Sequence, residues 1–371
     1  MTDDYRRIDA LLEARARDYP LRAEPTWSDL LAAIDALAGR LRDENEPADA
    51  PLPGYYERPV FVVGHRKTGT TLLQDLLDGH PQLAVLPGES NHFNTFLPRG
   101  PERIAADAHG WWLLRLITPS GIQPFWALGR PSESDDPYAA FTRRLTGLVE
   151  ANPGRDVLGM AAVALADGDR VAWVEKTPGH EHRLPAILAT YPEARFVHVV
   201  RDPRSVAAAI ARLDRATEQP TDLVDVGLSI RRSFEAAERN RGERYLVVRY
   251  EDLVGDPESV MRRVADFAGI EWSDSLLTPT VGGVPATSNS AWSARKVTGE
   301  IEGRRLDLWR EELDPAAGGL IAAATRSAAR SFGYELPWPG MRSVAEVAAR
   351  RARVTLASRG TPSPAAPART T

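Results

Sequence analysis

The sequence predicts an α/β fold, a central parallel β-sheet flanked by helices in a three-layer sandwich, on three observations. Short, largely apolar runs recur at Pro59–Val63, Val171–Val174, Arg195–Val200 and Arg244–Arg249, as expected of strands buried on both faces. Helix-length segments separate or follow them, at Thr70–Gly79, at His182–Thr190, from near Arg204, at Leu223–Asn240 and at about Pro257–Gly269. The first run also ends in a glycine-bearing loop rich in cations and hydroxyls that leads directly into a helix. Strands and helices alternating in this way call for parallel pairing through right-handed crossovers.

The first helix is expected to close at His80-Pro81, because proline disfavours helical geometry in the residue before it. Upstream of the sheet, Ile8, Leu11 and Leu12, then Leu30, Leu31, Ile34, Leu37 and Leu41, fall at helical spacing and predict amphipathic helices over 4–18 and 27–43. The Pro-, Ala- and acid-rich stretch from Glu44 to Tyr56 reads as a linker. The organisation is therefore an N-terminal helical extension and linker (1–56), a main domain (57–335), and a C-terminal helix with a tail (336–371). Pro362–Thr371 has the composition of a disordered tail. Residues 100–150, rich in Trp and Pro with one helix near Ala139–Val149, interrupt the alternation and read as an insertion over a substrate site.

Composition narrows the chemistry. The chain has 371 residues with a net charge of −5, which gives no global reason to expect nucleic acid as a partner. It has no cysteine, which excludes disulfides, thiol catalysis and Cys-ligated zinc. Neither a signal sequence nor a run of the roughly 20 apolar residues of a membrane span is visible, and the expected location is the cytoplasm. Of 46 basic residues only Lys67, Lys176 and Lys296 are lysine. In a chain that otherwise writes arginine, these three are candidate sites for a compact, rotatable ammonium.

Gly64-His65-Arg66-Lys67-Thr68-Gly69-Thr70-Thr71 sets two glycines five apart between strand and helix. Such a turn directs successive amides and a helix N-terminus at one point, which suits a phosphate, and the threonines add hydroxyl donors. A nucleotide-triphosphatase loop requires lysine directly after the second glycine and a metal-binding carboxylate at a later strand end. Here Thr70 holds the lysine position, and the Arg195–Val200 strand ends in Arg201.

Lys67-Thr68-Gly69-Thr70-Thr71-Leu72 resembles the 5′-phosphosulfate loop of the sulfotransferase family, which uses 3′-phosphoadenosine 5′-phosphosulfate (PAPS). Phe196 to Arg204 resembles that family's 3′-phosphate strand and turn, Glu175-Lys176-Thr177-Pro178 its bacterial EKTP element, and Arg249-Tyr250-Glu251-Asp252-Leu253 with Asp256-Pro257 its late RYEDL…DP element. The four follow in family order over about residues 57–335. The resemblance implies a P-loop-like fold and a PAPS-dependent, metal-independent transferase that sulfates a carbohydrate, lipid or small natural-product hydroxyl and releases 3′-phosphoadenosine 5′-phosphate (PAP).

It also implies roles. Lys67 would neutralise the leaving phosphate, Arg66, Thr68, Gly69, Thr70, Thr71 and Leu72 would form the loop that holds the 5′ end, and Lys176 would be a second catalytic cation unless it pairs with Glu175. Arg201 would grip the 3′-phosphate. The family's usual serine eight residues later is Ala209 here, which leaves Ser205, Arg295 and Lys296 as candidate compensating groups. Tyr250 would pack beside adenine, or simply be a half-buried tyrosine at a strand end. The base that takes the acceptor proton would be Glu89, which has the placement of the family's glutamate after the first helix, with His92, near neutrality in its ordinary pKa, as the runner-up. His180 and His182 around Glu181 read as a solvated loop rather than a metal site, and Trp111, Trp112, Phe125 and Trp126 line either an acceptor pocket or a core. The alternatives left open are a metal-dependent phosphotransferase and a nucleotide-binding protein without catalysis. Acceptor identity and oligomeric state are not legible.

Overall fold

The structure is a computed structural model. It describes residues 51–96, 151–166, 168–217, 221–287, 298–302, 306–307 and 309–359, with scattered positions in 141–149. The amphipathic helices expected over 4–18 and 27–43, most of the 100–150 segment, Arg295, Lys296 and the 362–371 tail lie outside the described residues. The chain forms two compact units, Met1–Arg201 with Ala236–Leu306, and Asp202–Glu235 with Asp307–Thr371.

The first unit carries a five-stranded parallel sheet. Its strands are β1 (Pro59–Val63), β2 (Leu83–Val85), β3 (Ala172–Lys176), β4 (Arg195–Val200) and β5 (Tyr245–Arg249), in the order β2-β3-β1-β4-β5. All five residues of β1 are buried, because the central strand is covered on both faces. Phe61 and Val63 enter one core with Phe93, Trp173 and Phe196, whereas Val60 and Val62 enter the other with Leu73, Val174 and Val197. This is the period-two alternation of a strand read out on two faces.

Helix α1 (Thr70–Leu77) follows β1, α2 (Val157–Leu165) precedes β3, and α3 (Leu184–Thr190) links β3 to β4. Helix α1 stops earlier than the sequence predicts. Asp78 is extended, and its carboxylate accepts from Thr280 Oγ1 and Gly283 N, both at 2.8 Å. Strand β3 runs two residues further than expected, since Glu175 and Lys176 pair in register with Phe61 and Val62 of β1. The unit continues after β5 with α6 (Tyr250–Gly255) and α7 (Pro257–Ala268).

The second unit contains α4 (Pro203–Thr217), most of α5 (Leu223–Asn240), α8 (Pro315–Ala329) and α9 (Met341–Arg359). Phe234 meets Phe332 and Tyr334 edge-on, and Arg350 pairs with Asp225. No described helix is long and apolar enough to cross a membrane.

Candidate active site

The chain leaves β1 at Gly64, where φ is 141° and the Val199 carbonyl occupies the space a Cβ would need. The Thr68 amide and hydroxyl both donate to the His65 carbonyl, at 3.2 and 2.7 Å, and close the turn. Lys67 adopts a left-handed backbone with φ of 69°, which costs a residue with a side chain about 1–2 kcal/mol. At Gly69, φ is 105° and the Tyr250 ring fills the Cβ position. The first amides of α1 follow, with no intrahelical carbonyl to satisfy them. Thr68 and Thr70 are buried, Thr71 and Leu72 half-buried, and Arg66 exposed.

Lys176, at the end of β3, reaches across this loop. Its Nζ donates to Glu89 Oε1 at 2.9 Å and to Thr71 Oγ1 at 3.3 Å. The expected alternative, an ion pair with Glu175, does not form, because successive residues of a strand point to opposite faces. Burial holds the Lys67 ammonium below the usual lysine range; Glu89 opposes that shift, while Arg66 and Lys176 add to it. Two lysines and one carboxylate thus share one electrostatic neighbourhood beside the loop. Asp75, one turn after Thr71 on α1, joins it: burial pushes its carboxyl up to about 7, with Lys176 opposing.

Arg201 is the last residue of the first unit's initial segment and immediately follows β4. Its Nη1 donates to the Lys67 carbonyl at 3.2 Å, its Nε is buried without a partner, and its guanidinium carbon stands over the Tyr250 ring. Tyr250 therefore joins the loop glycine to the arginine, one face against Gly69 and the ring under Arg201.

A layer of buried polar groups lies behind these side chains. Glu175 is fully buried and accepts from Ser90 N, Ser90 Oγ, Thr177 Oγ1 and His180 Nδ1. Burial alone would raise its pKa, but His180, and after it the Ser90 and Thr177 hydroxyls, hold it below the usual carboxylate range. His92 is also buried: its Nε2 donates to Asp156 Oδ2 at 2.9 Å, and Asp156 Oδ1 accepts from the Tyr191 hydroxyl at 2.6 Å. Asp156 likewise lies below its usual range against the pull of burial, chiefly through His92. Neither Asp156, Tyr191, Gln74 nor Asp75 is legible as a site residue in the sequence, since none belongs to a spaced motif.

The structure therefore brings Lys67, Thr71, Glu89, Lys176, Arg201 and Tyr250 to one end of the sheet in the first unit. Ser205 and Ala209 are buried positions of α4 in the second unit. The segment around Glu181 is not the solvated loop expected: His180 and Glu181 are buried, His180 serving Glu175 and Glu181 accepting from Gly179 N at 2.8 Å, and only His182 is exposed. Among the described residues no group of acidic and histidine side chains is arranged to hold a metal. Trp111, Trp112, Phe125 and Trp126 lie outside the described residues.

A parallel sheet with a phosphate-type loop after its central strand, faced by lysines and an arginine, defines a class of α/β group-transfer proteins. The family model described as "Sulfotransferase family" matches residues 59–274, from β1 through α7, and the chain belongs to that family. Among curated proteins it is 28% identical over 261 residues to the omega-hydroxy-beta-dihydromenaquinone-9 sulfotransferase Stf3 of Mycobacterium tuberculosis, a match covering 57% of this chain and 63% of that protein. It is 41% identical over 73 residues to human carbohydrate sulfotransferase 2, covering 19% of this chain and 13% of that protein. The matches thus span less than two thirds of these relatives. Among solved structures, the sulfotransferase domain of the Synechococcus PCC 7002 olefin synthase superposes with a TM-score of 0.52 at 24% identity, covering 79% of this chain and 99% of that one. The fold is accordingly the P-loop-like one of the sulfotransferases.

Proposed function

We propose that the chain transfers a sulfuryl group from PAPS to the hydroxyl of a lipid, carbohydrate or small natural product, releasing PAP, in the cytoplasm and without a divalent ion. The observation that carries this reading is the meeting of Glu89 and Lys176 at Thr71, beside the loop that holds Lys67. Sulfuryl transfer spreads negative charge between an incoming and a leaving oxygen, so it needs cations at the leaving side and a base at the incoming side. PAPS, when bound, supplies the sulfuryl group.

The chain's own groups fit that donor. The free amides of α1 and the Thr70 and Thr71 hydroxyls suit the 5′ end, and Arg201, with a buried nitrogen still unpartnered, suits the 3′-phosphate. Lys67 neutralises the phosphate oxygen that keeps the electrons of the broken S–O bond. Lys176 stabilises charge on the group in flight and orients Glu89. Glu89, whose side chain is 40% exposed, takes the acceptor proton as the new S–O bond forms. Its rival His92 has a side chain only 2% exposed, and its Nε2 is occupied by Asp156.

The acceptor class rests on the relatives, whose names cite a menaquinone lipid and carbohydrate. A screen with radiolabelled PAPS against a polyprenol, 1-octanol, N-acetylglucosamine and a phenol tests both activity and class. Label appearing on one alcohol in EDTA supports the reading; label on none, with PAPS recovered intact, removes it.

A further inference from the structure

The four residues that link the Glu89 loop to β3 form a crossed pair. Glu89 and Ser90 are neighbours on the loop, and Glu175 and Lys176 are neighbours on the strand; Lys176 holds Glu89 at 2.9 Å while Ser90 Oγ donates to Glu175 at 2.5 Å. The Ser90 amide donates to the same Glu175 oxygen, and Thr177, beside it, accepts from the Asn91 amide at 3.1 Å. The residue before Glu89 is fixed as well. Gln74 of α1 donates to the Leu86 and Gly88 carbonyls at 2.6 and 3.2 Å. The backbone on both sides of Glu89 is thus tied down, although its carboxylate remains in reach of solvent.

We propose that Glu175 is a positioning residue whose buried carboxylate, by gripping the amide and hydroxyl of Ser90, sets the Glu89 carboxylate against Lys176. The proposal rests on the reading of Glu89 as the base. Burying a carboxylate costs several kcal/mol unless donors surround it, and Glu175 has two donors from the very residue that follows Glu89. A core built only for stability would be served as well by an apolar side chain here, with Phe61 in register beside it on β1 and Phe61 and Phe93 packed on its partner His180. A fixed anion gives direction: it accepts from the loop and cannot reverse the bond. Strand geometry completes the device, sending Glu175 to the face of His180 and Phe61 and Lys176 to the face of α1. One dipeptide thereby holds the base's backbone with one residue and its carboxylate with the next.

The test compares Glu175→Gln and Ser90→Ala, each alone and combined with Glu89→Gln. Two quantities are measured: turnover of radiolabelled PAPS with the best alcohol of the panel, or with water where none exceeds it, and PAP affinity by calorimetry. Positioning predicts that each single variant lowers kcat about 10-fold or more with PAP Kd changed less than about twofold, and that neither lowers it further in the Glu89→Gln background. Ser90→Ala keeps the buried anion and guards against a Glu175 variant that fails to fold. Unchanged kcat in both variants, or the same fractional loss with and without Glu89, overturns the positioning role alone. Full turnover in Glu89→Gln by itself overturns the base assignment and the proposal together.

Discussion

Arg201 lies over Tyr250, its guanidinium carbon 4.1 Å from the ring centroid, while its Nη1 bonds the carbonyl of Lys67. Strand β4, the phosphate loop and the first residue of α6 are thereby joined through one arginine. Its guanidinium lies against the ring as a cation–π contact, and its Nε is buried without a hydrogen-bond partner.

Arg201→Ala should weaken PAP binding about 10- to 100-fold, since a charge-assisted hydrogen bond contributes roughly 1.5–3 kcal/mol. Arg201→Lys should recover less than half of that free energy, because an ammonium neither stacks on Tyr250 nor forks. Calorimetric titration of the two variants distinguishes them, and equal affinities for both and for the natural chain would show that the arginine does not contact the nucleotide.

Gly69→Ala should cost about 1–3 kcal/mol and abolish PAP binding, for two separable reasons. The backbone there is left-handed, and the added methyl would run into Tyr250. Removing the ring in Gly69→Ala/Tyr250→Ala relieves the clash but not the backbone. Thermal unfolding of the single and double variants should therefore show partial rescue of Tm; no rescue would mean the backbone term accounts for the whole loss.

Asp75 gives a pH dependence. Burial raises its carboxyl to about 7 from an ordinary value of 3.8, so between these values the folded chain keeps a proton that the unfolded chain has released. Its favourable contribution is fully present below the unfolded value and is lost as pH rises towards the folded one. Asp75→Asn removes the titration and should raise Tm at pH 8, by roughly 2–4 °C for each kcal/mol relieved, while leaving it nearly unchanged at pH 3. A variant equally stabilised at both pH values would contradict this assignment.

Much of this organisation is legible in the sequence, and the parts that are not have physical causes. Strands β1 and β4 are visible because buried parallel strands write nearly continuous apolar runs, β5 because its Tyr245–Val248 run stays apolar although it is half-buried at the sheet edge, and the loop because only glycine tolerates the crowding at positions 64 and 69. Strand β2, three residues long, is too short to carry a period. Helix α2 is buried on every side, so Val157–Leu165 lacks the amphipathic signature that marks a surface helix. Within the site, Lys67, Lys176 and Arg201 stand out as rare lysines or strand-end cations. The partners of Lys176 do not: which of Glu175 and Glu89 it meets depends on the register of β3 against β1 and on a loop held 86 residues upstream by Asn91 and Thr177. The His92–Asp156–Tyr191 chain joins three segments distant in sequence and leaves no local trace.

The most direct measurement is calorimetric titration of the natural chain with PAP in EDTA, repeated with magnesium and with ATP in place of PAP. If loop amides, Lys67 and Arg201 together hold a doubly phosphorylated adenosine, PAP binds in EDTA, magnesium leaves its affinity unchanged, and ATP binds more weakly. Absence of PAP binding, or binding of either nucleotide only when magnesium is supplied, would contradict the assignment of this site.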